Sequence, residues 1–135
     1  MNMMFHVRRL LLPVLVVAVG CASIGCNSRW FRRAVKAAGE EAAYAALETA
    51  LVKAKVVSAD HMVDAVRMVV NKQDYGGAAA AFAVALSEHN LKASQKLTSA
   101  QVIGYMRLAQ PAVRSASPKV GSGLKCFCDY ILSSN

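Results

Sequence analysis

The sequence predicts an all-α protein: a small bundle of about four helices behind a short N-terminal segment. Three observations lead there. Alanine outnumbers every other residue type in the 135 residues, and it is the strongest helix former. Between residues 29 and 110 the apolar positions recur every three or four residues, the period of a helix face. Hydroxyl residues or glycines punctuate the pattern where helices start and stop. Aromatics make up only 7% of the chain, so the core is expected to form by close packing across Ala faces. The length allows one domain.

The first element is the stretch Arg8-Arg9-Leu10-Leu11-Leu12-Pro13-Val14-Leu15-Val16-Val17-Ala18-Val19-Gly20-Cys21. Two cations, an apolar run and small residues before a cysteine have the layout of a secretory signal peptide. Leu10 to Gly20 is 11 residues, well short of the roughly 20 that cross a bilayer as a helix. Extension to Cys26 gives 17 residues and places Gly20, Ser23 and Gly25 inside the span. Arg8 and Arg9 precede the run while Arg29, Arg32 and Arg33 follow it, so the charges set no orientation. A cleaved leader is favoured over a retained anchor.

Ala18-Val19-Gly20-Cys21 resembles the lipobox of bacterial lipoproteins, and Ser23-Ile24-Gly25-Cys26 fits that pattern less well. The resemblance covers residues 1–21 and implies a processing route. Residues 1–20 are removed as the signal peptide, Cys21 becomes the lipid attachment site carrying diacylglyceryl and palmitate-type chains, and residues 21–28 form a lipidated tether. It also implies export and membrane anchoring; Ala22 after the cysteine points to the outer membrane, facing the periplasm, in a two-membrane cell. Two or more acyl chains make a stable anchor where one does not.

Next comes Asn27-Ser28-Arg29-Trp30-Phe31-Arg32-Arg33-Ala34-Val35-Lys36. Ser28 is a candidate N-cap for a helix opening at Arg29. Cations there oppose the helix dipole, which favours acids at its start. A membrane surface would reverse that preference, with Arg29, Arg32, Arg33 and Lys36 on anionic headgroups and Trp30 and Phe31 at the interface. The competing reading is a solvated basic face with both aromatics in the core. The helix is expected to run to about Val57, with a seam through Phe31, Val35, Ala38, Ala42, Ala45, Thr49, Val52 and Val56. Tyr44, Leu47, Leu51 and Ala54 widen this with an adjoining stripe to a band that fits the core of a bundle better than a two-stranded coiled coil, and dimerisation through it is left open.

Ser58 is expected to cap a second helix carrying Ala59, Met62, Val63, Val66, Val69 and Val70 on one face, ending near Lys72. Asp74-Tyr75-Gly76-Gly77 reads as a turn. A third helix is expected from about Ala78, with Ala79, Phe82, Ala83 and Leu86 inward and Asn90 ending it. Thr98-Ser99-Ala100-Gln101 matches a capping box and opens a fourth helix with Val102, Ile103, Met106 and Ala109 inward, stopped by Pro111. The helical domain is thus 29–110. Residues 111–123, rich in Ser, Pro and Gly, read as a linker, and the tail 124–135 fits a strand or a helix equally well.

With Cys21 consumed by lipid, Cys26, Cys126 and Cys128 remain in an oxidising compartment. A Cys126–Cys128 ring would be strained. A bridge from Cys26 to either tail cysteine closes a loop of about 100 residues, worth up to ~4.7 kcal/mol in the chain-entropy estimate, and is the expected pairing. Three thiolates with a histidine match no usual zinc spacing, so no metal and no cofactor beyond the covalent lipid is expected.

The formal charge is +8; removing residues 1–20 takes away Arg8 and Arg9 and no acid, which leaves +6. A basic exported chain favours anionic lipid, cell-wall polymer or an acidic envelope protein as partner, and export argues against nucleic acid. Gly-x-Ser-x-Gly, His-Glu-x-x-His and the phosphate-cradling Gly-rich loop are all absent, and no enzyme activity is expected. His61 beside Asp60 and Asp64 reads as a polar first-turn cluster, and His89 as a helix C-terminal cation. Two functional classes follow: a lipid-anchored structural or interaction module with a basic membrane-proximal face, or a membrane-active or exclusion-type small lipoprotein of phage or plasmid origin.

Overall fold

The computed structural model describes residues 29–134, with side chains from Arg32 onward. The leader, Cys21, Cys26, the tether and the side chains of Arg29, Trp30 and Phe31 lie outside the described residues. Those described form five helices and no strand: α1 (Arg29–Lys53), α2 (Ala59–Lys72), α3 (Tyr75–Lys92), α4 (Ser99–Ala116) and α5 (Pro118–Ser134). This is the small all-α bundle that the composition and periodicity predict, with one helix more.

Helix α1 ends at Lys53 rather than near Val57. Lys55 turns into the left-handed region at φ 64°, its N–H bonding the Val52 carbonyl while the Val56 N–H reaches Leu51. This is a Schellman closure, and it brings buried Val56 back over buried Leu51. The face that α1 buries is one side of the expected band. Ala43, Tyr44, Leu47 and Leu51 are inside, whereas Val35, Ala42, Thr49 and Val52 of the 3.5-period seam are exposed. The bulkier stripe wins because burying Tyr and Leu removes more apolar surface from water than burying Ala and Thr.

Helix α2 buries Ala59, Met62, Val63, Ala65, Val66 and Val69, close to the predicted face. Ser58 sits at its N-cap position without capping it; the hydroxyl donates to the Ala85 carbonyl of α3 instead. Asp74 caps α3 by accepting from the Gly77 N–H at 2.9 Å, so Gly76 and Gly77 belong to the first turn of a helix and not to a loop. Asn90 does not end α3. It stays helical and clasps the next connector, donating to the Leu97 carbonyl at 3.0 Å and accepting the Leu97 N–H at 2.8 Å.

The capping box at the head of α4 is present in both directions: the Gln101 N–H donates to Thr98 Oγ1 at 3.2 Å and the Thr98 N–H to Gln101 Oε1 at 2.8 Å. Pro111 lies inside this helix, which continues to Ala116. The ring removes the N–H that would bond the Arg107 carbonyl, a cost of about 3 kcal/mol in a helix interior. Burial of Ala109 and Val113 on either side of exposed Pro111 offsets it.

The 111–123 linker does not exist as such, and the tail is the fifth helix. Ser117 and Pro118 are a helix start: the Ser117 hydroxyl accepts the Val120 N–H at 3.3 Å, and proline occupies the first helical position, where no N–H is needed. Val120, Gly121, Leu124, Phe127, Cys128 and Ile131 are buried along α5. Helix α4 packs against both α1 and α5, α2 packs against α3, and α5 also lies across α2. Phe127 meets Phe82 of α3 edge-on at 5.5 Å and 76°, in a core shared with Leu47, Leu51, Met62, Ile103, Met106 and Leu124.

Candidate membrane-facing site

The start of α1 has no acid in its first turn, and Arg32, Arg33 and Lys36 are all exposed. Val35 between them is 45% exposed, and the buried stripe of the helix begins only at Ala43. The first turns of α1 therefore lie outside the core, with cations on more than one face. The acids that follow are engaged elsewhere. Glu40 meets Lys119 of α5 at 3.6 Å, and Glu41 takes Arg67 of α2 at 3.0 and 3.3 Å. Neither Arg32, Arg33 nor Lys36 forms an ion pair with another described residue.

Gly39 fixes where this basic end emerges. A side-chain carbon there would sit 2.9 Å from the Ala116 carbonyl oxygen, so the bare glycine lets α1 cross the end of α4 at close range. Together with the Glu40–Lys119 pair, this places the basic turns of α1 beside the α4–α5 junction. Arg67 also lies over the Tyr44 ring at 4.1 Å, tying α1 to α2 one turn further in. The Tyr44 hydroxyl is buried without a hydrogen-bond partner among the described residues, and burial raises its pKa.

The two described histidines, His61 and His89, bridge elements of the bundle. His61 Nδ1 lies 2.7 Å from Glu88 Oε2 and links α2 to α3. The hydrogen bond with Glu88 raises the His61 pKa, with Asp60 adding to it, and the same bond lowers that of Glu88. The pair thus favours the fold only while both are charged. The histidine share is lost as pH rises through its raised pKa, and the glutamate share as pH falls through its lowered one. His89 is 1% exposed and pins three segments. Its Nδ1 accepts the Val57 N–H at 3.0 Å, and its Nε2 donates to the Gln95 carbonyl at 2.9 Å. A backbone N–H can only donate and a carbonyl can only accept, so the neutral tautomer protonated at Nε2 is fixed. Its position near the end of α3 gave no hint of this role, because both partners are backbone groups in connectors, and Val57 is 32 residues away in sequence. Among the described residues no three His, Cys, Asp or Glu side chains converge to hold a metal ion.

The two tail cysteines are separated by their helix. Cys126 is exposed and Cys128 buried, both unbridged among the described residues, and the partner expected for them, Cys26, lies outside those residues. Burial pushes the Cys128 thiol up to about 12, Arg107 only partly opposing it. Since the thiolate is the reactive form, a maleimide at neutral pH should label Cys126 in the folded chain and spare Cys128 until denaturant is added. Equal labelling of the two in the native chain would contradict the docking of α5. Any bridge to Cys26 is accordingly expected to use Cys126.

No protein-family model, no curated protein and no solved structure matches this chain.

Proposed function

We propose that this is a lipid-anchored envelope protein: a small helical module held to the membrane through Cys21, standing on anionic headgroups by the basic start of α1, and presenting the rest of the bundle to an envelope protein or cell-wall polymer. The observation that carries the reading is the set of exposed cations Arg32, Arg33 and Lys36, without an ion-pair partner among the described residues, at a helix end whose dipole opposes them. Their position follows directly on the lipobox-type leader in the sequence. A surface with negative potential supplies the missing favourable energy, at about 1 kcal/mol per Lys or Arg near the headgroups.

Replacement of Arg29, Arg32, Arg33 and Lys36 by Gln in the chain lacking its lipid should weaken binding to vesicles containing phosphatidylglycerol by ~3–4 kcal/mol at low salt. Added salt should reduce wild-type binding in the same direction. Helicity by circular dichroism should be kept or rise slightly, since unfavourable charges leave the N-terminus of α1. Vesicle binding that is unchanged by the substitutions and insensitive to salt excludes the electrostatic account.

A further inference from the structure

The outer flank of α4 and α5 carries an open cleft of about 650 Å³ lined by Arg107, Gln110, Pro111, Arg114, Ser115 and Lys125. Three of the six are cations. Asp129 contacts Arg107 at 3.4 Å and offsets one of them, while Arg114 and Lys125 pair with no described acid. The two helices meet closely here because Gly121 is bare: a side-chain carbon at that position would lie 2.7 Å from both the Cα and the Cβ of Arg114. Arg114 therefore lies directly on α5, one side of the cleft, with Lys125 of the same helix lining it as well. Pro111 adds a different element. It has no N–H, so the helix bond that position 111 would normally give to the Arg107 carbonyl is not made, and both residues line the cleft.

We propose that this cleft binds a glycerol-phosphate-type group, in which one end is an anionic phosphate and the other a hydroxylated carbon chain. The phosphate takes Arg114 and Lys125, with the remaining donors of Arg107, through charge-assisted hydrogen bonds. The hydroxyls donate to the Arg107 carbonyl, which lacks that helix bond, and to the Gln110 amide oxygen or the Ser115 hydroxyl. A bare phosphate leaves these acceptors unused, and an uncharged polyol leaves the cations unused. No aromatic side chain lines the cleft, so it offers no platform for stacking a nucleobase. The volume lies within the range of small-molecule sites. The cleft shares no residue with the basic start of α1, and the inference stands whether or not that end contacts a membrane.

The test is isothermal titration of sn-glycerol 3-phosphate, inorganic phosphate and glycerol into the full chain in an uncharged maltoside detergent at low salt. Saturable binding of glycerol 3-phosphate, at least several-fold tighter than inorganic phosphate, and none of glycerol, is expected. Arg114→Gln with Lys125→Gln should weaken it by about tenfold or more, the loss of at least one charge-assisted bond. Both side chains are exposed, so the variant should fold, and an unchanged circular dichroism melt verifies it. Pro111→Ala, which restores the N–H, should reduce the preference over inorganic phosphate, the Gln110 and Ser115 acceptors remaining, while leaving phosphate binding in place. Arg32→Gln with Arg33→Gln and Lys36→Gln should bind glycerol 3-phosphate as the wild type does. Nanodiscs of phosphatidylglycerol separate the two sources: competition by soluble glycerol 3-phosphate in the α1 variant marks a lipid headgroup as occupant, and lack of competition marks a free phosphorylated polyol. Absence of saturable binding by the wild type, or equal binding by the Arg114/Lys125 variant, overturns the proposal.

Discussion

His89→Phe should cost about 2–4 kcal/mol of folding stability, because it keeps the volume of the ring and strands two backbone groups. The Val57 N–H and the Gln95 carbonyl each lose their hydrogen-bond partner, and a buried unsatisfied polar group costs about 1–3 kcal/mol. Urea unfolding followed by circular dichroism reads the effect directly. The loss is a large fraction of the 5–15 kcal/mol typical of a domain. It should be concentrated in the connectors at the shared end of α1, α2 and α3, so hydrogen exchange at the Val57 amide should speed up more than exchange in the middle of α4. A loss below about 1 kcal/mol would mean that solvent satisfies both groups and that His89 is no pin.

Phe127→Ala should be costlier still, at about 3–5 kcal/mol. The ring is 0% exposed and packs edge-on against Phe82, so its removal takes away both apolar burial and the aromatic contact between α5 and α3. The variant should unfold at markedly lower urea, and Cys128, one residue away and buried with it, should become reactive to maleimide under native conditions. A near-neutral result would mean that residues 118–134 do not belong to the core.

That last segment shows most clearly what is and is not legible in the chain. The capping box at Thr98 was readable because all of its parts lie within four residues, and the buried face of α2 because Met62, Val63, Val66 and Val69 leave a single apolar stripe. On α1 two stripes were on offer. Both alternate spacings of three and four; Val35, Ala42, Thr49 and Val52 of one are exposed, while Tyr44, Leu47 and Leu51 of the other are buried. Side-chain size decides burial, and spacing alone is silent on it.

The stretch from Pro111 to Gly123 misled for a different reason. Proline, serine and glycine carry the same letters whether they break a helix or build one. Pro111 is tolerated on a solvent-facing position, Ser117-Pro118 is a helix start, and Gly121 is a contact surface for Arg114. Only the packing partner distinguishes these roles from those of a loop, and the partner is remote in sequence. The same blindness hid the cleft between α4 and α5, since Arg107, Arg114 and Lys125 come together only once α5 folds back along α4. The basic start of α1 was legible by contrast, because an absence of acids in the first turn is a local property.

The central claim is that the bundle is delivered to a membrane by a lipid on Cys21, and it is tested most directly by mass spectrometry of the N-terminal peptide of the protein isolated from the membranes of the cell that makes it. The account predicts a chain that begins at Cys21 and carries the mass of a diacylglyceryl group, and Cys21→Ala should abolish both the modification and the cut before residue 21. An N-terminal peptide that still contains Arg8 and Arg9, or a mature chain with an unmodified Cys21 thiol, would contradict it.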